Sequence, residues 1–199
     1  MKWAAFAVLR DQLGLKETVR VGLAMGRRPD PFQVLPEPAD DRDRDSRDQI
    51  RPSVNLYLEL RARIGEDQAL KVVRDVVLEA SLAFLEANAD QLDPGRYLVA
   101  DPEGRVAMVN GVIGRFPNSD GVLEDVRDDG FVFRVTTCRF VNLCNDIGLS
   151  DLAPLYCRGD VAYFARGSVT LERPTTLAEG DPCCEFRFGL RENGRSKRD

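Results

Sequence analysis

Residues 122–137 read VLEDVRDDGFVFRVTT, and in this stretch the hydrophobic period is two. The pattern predicts strands over 122–127 and 131–137, joined by the turn Asp128-Asp129-Gly130. Phe131, Phe133 and Val135 share one face and are expected in the core. Downstream, a helical interlude over about 139–167 leads to two further strands, 168–175 and 183–190, linked by a turn holding Gly180-Asp181-Pro182. These four strands set the class of the fold.

Upstream the pattern is helical. Residues 2–25 place Trp3, Phe6, Leu9 and Leu13 at near-helical spacing and predict one helix that Gly26 ends. Residues 27–48 carry four prolines and an alternating Asp/Arg run, which reads as a linker or surface arm. A helix is predicted over 52–64, with Pro52 at its permissive first turn and Gly65 closing it. The helix predicted over 66–88 lines one face with Leu70, Val73, Val77 and Phe84, and Val72, Val76 and Leu82 widen the stripe. So broad an apolar face belongs to a central, buried helix. Asp101-Pro102-Glu103 opens a shorter one, with Val106, Val109, Ile113 and Phe116 expected inward. The expected fold is α+β, a helical N-terminal half packed on a small antiparallel sheet of about four strands. Its expected organisation is an N-terminal helix (1–26), a linker or arm (27–51), one α+β domain (52–190) and a frayed tail (191–199).

The 199 residues are 43% hydrophobic and 31% charged, with no apolar run long enough to span a bilayer. Arg10 and Asp11 come too early for a signal-peptide core, so a cytoplasmic location is expected. A net charge of −5 argues against nucleic acid as a partner. The absence of histidine excludes Ser-His-Asp triads, Cys-His dyads, HExxH zinc sites and His-ligated haem. Acid–base chemistry in this chain falls to carboxylates, thiols, Tyr, Lys or water.

All five cysteines lie in the last third, at 138, 144, 157, 183 and 184, and are expected to be reduced. Cys144 shares a helical face with Phe140, Leu143 and Ile147 and reads as core. Cys183 and Cys184 point to opposite faces of one strand, Cys184 inward with Phe186 and Phe188. Cys138 ends a strand and opens a helix, a position that favours a thiolate. Cys157 stands three residues before Asp160, which either sets a carboxylate beside the thiol or caps a following helix.

In order, the C-terminal third shows Cys138, Gly148, Cys157-Arg158-Gly159-Asp160, Leu171-Glu172-Arg173, Gly180 and Cys184-Glu185-Phe186-Arg187-Phe188. This series resembles the L-2-amino-thiazoline-4-carboxylic acid hydrolase family. Glu185 stands where the family pattern has Asp, and Asn142 where an acidic residue is expected. The ending is also similar to vinyl-reductase-type ligand-binding domains and, through them, to the haem-nitric-oxide-binding fold.

The resemblance implies hydrolytic opening of a sulfur-containing five-membered ring of a small carboxylate substrate. It makes Cys157 or Cys138 the nucleophile, Asp160 the proton-handling group and Cys184 a further thiol of the site. Arg173 is implied as the partner of the substrate carboxylate, and Arg187 as a weaker choice because its parity turns it away from Cys184. No cofactor is expected. Two other readings stand beside this one. The chain is then a non-catalytic small-molecule-binding or sensor domain, or Cys138, Cys157, Cys184 and Asp160 ligate a metal or iron–sulfur centre. Trp3 and Phe6 are costly to leave in water, which points to a homodimer.

Overall fold

The structure is a computed structural model that describes residues 2–88, 93–167 and 169–190, with the backbone alone for 2–4. Among these residues it is α+β, with eight α-helices, most of them N-terminal, and one four-stranded antiparallel sheet. The chain divides into two compact units, one of residues 1–84 and 139–159, the other of 85–138 and 160–199. Residues 52–190 contribute to both units.

The first unit is helical. Its N-terminal segment is two helices rather than one, α1 (Lys2–Leu13) and α2 (Leu15–Met25), because Gly14 adopts φ 77° and breaks the path between them. Phe6 stays 36% exposed, and the side chain of Trp3 lies outside the described residues.

α3 (Asp41–Ile64) begins eleven residues before the expected start, so the Asp/Arg run is helix and not linker, and Pro52 lies well inside it. Local polar chemistry explains the difference. The Asp40 carboxylate accepts the Asp43 N–H at 2.7 Å, and Asp43 in turn accepts the Ala39 N–H at 3.0 Å. Asp43 also pairs with Arg47 at 3.0 Å, and Arg47 donates to the Pro36 carbonyl at 2.8 Å. Burial alone would raise the Asp43 carboxyl, but Arg47 and the Ala39 N–H outweigh it and hold the group below its ordinary value. Ile50, Val54, Tyr57 and Leu60 then form the buried face of α3.

α4 (Glu66–Asn88) has the expected bounds and buries Ala69, Val72, Val73, Val76 and Val77. α7 (Arg139–Asp146) contributes Phe140, Leu143 and Cys144, and Cys144 is fully buried as core. A 3-10 turn, Ser150–Leu152, leads into α8 (Ala153–Phe164). α8 passes α4 so closely that a Cβ on Gly159 would lie 2.3 Å from the Cβ of Ser81.

The second unit holds the sheet, in the order β1-β2-β4-β3. β1 (Ser119–Arg127) and β2 (Gly130–Cys138) form the expected hairpin, closed by the pair Arg127↔Gly130. β3 (Val169–Glu172) is shorter than expected and stops just before Arg173-Pro174, where proline can offer no N–H to a ladder. Residue 168, its expected first position, lies outside the described residues, as does the tail 191–199. β4 (Cys184–Leu190) pairs with both β2 and β3.

The ladder sets Phe131 opposite Phe188 and Phe133 opposite Phe186, so the rings stack with centroids 4.7 and 4.5 Å apart. A Cβ on Gly130 would meet the Phe188 carbonyl oxygen at 2.2 Å, so only glycine allows the hairpin turn this close to β4. The short helix α5 (Pro94–Val99) has no counterpart among the expected elements, yet it carries the fully buried Tyr97. The Tyr97 hydroxyl reaches the carbonyls of Gly130 at 2.8 Å and Arg127 at 3.0 Å and ties down the β1–β2 turn. α6 (Pro102–Ile113) starts from the expected cap, Asp101, and turns Val109 inward, but Val106, expected inward, is 38% exposed.

Candidate active site

The functional residues named from the sequence fall on β2, α8, the end of β3 and β4, and they differ sharply in surroundings. Asp160 lies inside α8, so it caps no following helix. Arg173 is the first residue beyond β3. The two meet: Arg173 Nη1 donates to Asp160 Oδ2 at 2.9 Å. The arginine side chain is 9% exposed and the aspartate 27%, so this ion pair is shielded from solvent far more than an ordinary surface pair. Burial pushes the Asp160 carboxyl up to about 6 and Arg173 pulls against that rise. A carboxyl that titrates near neutrality can both take and give a proton at physiological pH.

Arg173 has a second neighbour. Its guanidinium carbon lies 5.4 Å from the centre of the Phe186 ring, within cation–π range. The ladder explains why: Glu172 pairs with Arg187, so the next residue on the β3 side comes level with Phe186. Phe186 stacks in turn on Phe133. This ring was expected only as core, and its place beneath the arginine follows from strand register, which no local pattern reveals.

Cys184 is buried at the start of β4, on the inward side as its parity implies. Its sulfur accepts the Leu177 N–H at 3.3 Å, and its S–H faces the Thr176 hydroxyl at 3.6 Å. Cys138, the last residue of β2, is also buried, and Asn118 Nδ2 donates toward its sulfur at 3.9 Å. The two thiols are not cross-strand partners, because Cys184 pairs with Val135, three residues before Cys138. Cys157 lies on α8 one turn before Asp160 and is partly exposed. Arg187 is half exposed and paired with Glu185, on the face away from Cys184.

Among the described residues, no group of three or more Cys, Asp or Glu side chains is placed to hold a metal ion, so a thiolate-ligated centre finds no ligand set there. Among them, too, no helix is long and apolar enough to cross a membrane.

The family model for L-2-amino-thiazoline-4-carboxylic acid hydrolase matches residues 46–188, well over half of the chain. No curated protein matches it significantly. Among solved structures, the Fe(II) unliganded H-NOX protein from K. algicida is similar at 13% identity and a TM-score of 0.43, over 98% of this chain and 96% of that one. A second H-NOX structure, from work on the function of heme distortion in that family, is similar at 14% identity and a TM-score of 0.37, over 98% and 96% of the two chains.

Proposed function

The chain belongs to the L-2-amino-thiazoline-4-carboxylic acid hydrolase family, and from that premise we propose that it opens the thiazoline ring of a small, amino-acid-derived carboxylate. The observation that carries the reading is the Asp160 carboxyl, shielded, paired with Arg173 and poised at about 6. In a chain without histidine, that is the proton-transfer group the chemistry calls for.

The bond that breaks joins the ring sulfur to C2, the amidine-like carbon. In the thiol-dependent route the sulfur of Cys157, or of Cys138, adds to C2 and the ring sulfur leaves as a free thiol. Water then adds to the same carbon, the enzyme sulfur departs and regains its proton, and the water oxygen remains as the carbonyl of an N-carbamoyl cysteine. Asp160 takes the proton from the attacking group and returns it to the departing ring sulfur. Cys157 is the first choice as nucleophile because it lies one helical turn from Asp160 on α8. Arg173 has five donors, of which the Asp160 bond uses one, and we assign the others to the substrate carboxylate. The exposed Arg187, held by Glu185, is the lesser candidate for that contact.

The test is incubation of the purified protein with L-2-amino-thiazoline-4-carboxylate while free thiol is followed colorimetrically. Steady release of one thiol per ring opened is expected. A folded protein that releases none overturns the reading and leaves the non-catalytic binding domain in its place.

A further inference from the structure

β3 and β4 are antiparallel neighbours, yet the connection from Arg173 to Cys183 is far longer than the two to five residues typical of a hairpin. The ladder fixes the strand side of Arg173, but a loop of that length leaves its other side loose unless something closes the neck. Here the closure is visible. Across the neck, Cys184 accepts the Leu177 N–H at 3.3 Å and turns its S–H to the Thr176 hydroxyl at 3.6 Å. Within the loop, the Asp181 carboxylate accepts the Thr176 N–H at 2.8 Å while the Asp181 N–H donates to the Thr176 carbonyl at 3.3 Å. Gly180, at φ 92°, supplies the left-handed turn that brings Asp181 back to Thr176. Thr176 is itself buried.

Arg173 sits between two fixed points. On one side the ladder ends at Glu172↔Arg187, and on the other the chain is gripped at Thr176. Pro174, in between, further restricts the backbone. We propose that Thr176, Asp181 and Cys184 form a clasp that positions Arg173 against Asp160, so that Cys184 serves the site as a positioning residue and its thiol takes no part in attack. This rests on the reading of Asp160 as the proton-transfer group, but the placement of Arg173 can be measured without turnover.

The measurement is the titration of the Asp160 carboxyl by carbon NMR in the wild type, C184A, C184S and D181N, each first checked for a native amide spectrum. Arg173 is the cation that restrains the rise of this carboxyl. Loosening the clasp in C184A or D181N is expected to move the midpoint upward from about 6, and C184S, which keeps a donor and an acceptor, moves it less. Turnover is expected to fall about tenfold to a hundredfold in C184A, since a misplacement of about 1 Å can cost about 10²-fold. An unmoved midpoint in folded C184A and D181N overturns the clasp even if the protein is an active hydrolase. A shifted midpoint in a protein that opens no thiazoline ring keeps the clasp and removes the proposed activity instead.

Discussion

The carboxyl of Asp160 and the guanidinium of Arg173 are joined at 2.9 Å, although they stand thirteen positions apart in the chain with the whole of β3 between them. Both lie within residues 46–188, the span that the family model matches. Their contact brings the proposed proton-transfer group and the proposed anion-binding group to one place in the second unit, and Phe186 lies under the arginine. The pair also holds the Asp160 titration near neutrality, because burial and charge attraction act on it in opposite directions.

Replacing Arg173 by Gln leaves that carboxyl with burial alone, so its midpoint moves above about 6. The sign for stability follows. A folded-state value above the ordinary 3.8 means that ionisation disfavours the folded form, a penalty that sets in as pH rises from 3.8 through about 6. Without Arg173 the penalty is larger and is reached at higher pH. Urea unfolding is expected to show R173Q destabilised by about 1.5–3 kcal/mol at pH 8, the range for a lost hydrogen bond to a charged group. At pH 5, where the carboxyl is neutral, the loss is smaller, and equal losses at the two pH values contradict the account.

The thiol step is tested with C157S and C138S. Cys157, one helical turn from Asp160, is expected to be the essential one, and C157S abolishes thiol release from the thiazoline substrate while its fold is retained. Undiminished turnover in both variants removes the enzyme sulfur from the reaction and leaves direct attack by water.

The approach of α8 to α4 makes a separate prediction about stability. In G159A the new methyl group meets the Ser81 Cβ at 2.3 Å, so overpacking costs about 1–3 kcal/mol, at the upper end for so short a contact. The better helix propensity of alanine offsets roughly 1 kcal/mol of this. Tm is expected to fall in G159A and to recover in part when Ser81→Gly is added. No recovery in the double variant means that the two helices do not meet at these residues.

The parts of the fold that were legible in the sequence are those where local pattern and packing agree. The α4 stripe and the Asp-Asp-Gly hairpin are such cases, and both have the expected bounds to within three residues. Over the start of α3 a composition poor in apolar groups suggests a tether, whereas Asp40, Asp43 and Arg47 build a helix start from hydrogen bonds and ion pairs. The break at Gly14 leaves little mark on the sequence, because the apolar spacing runs through it almost undisturbed. At the site, Asp160 and Arg173 each stand out in the sequence, but their contact does not. It depends on where β3 stops relative to α8, and the place of Phe186 depends on the β3–β4 register. Both are non-local facts that spacing along the chain does not encode.

The most direct test is the pH profile of thiazoline ring opening in wild type and D160N. With Asp160 as the base, activity is expected to rise with pH through a midpoint near about 6 as the carboxyl ionises. In D160N this acid limb disappears and the rate falls about 10²–10⁴-fold, the usual contribution of a positioned acid–base group. A folded D160N that keeps the wild-type rate and the same acid limb contradicts the account.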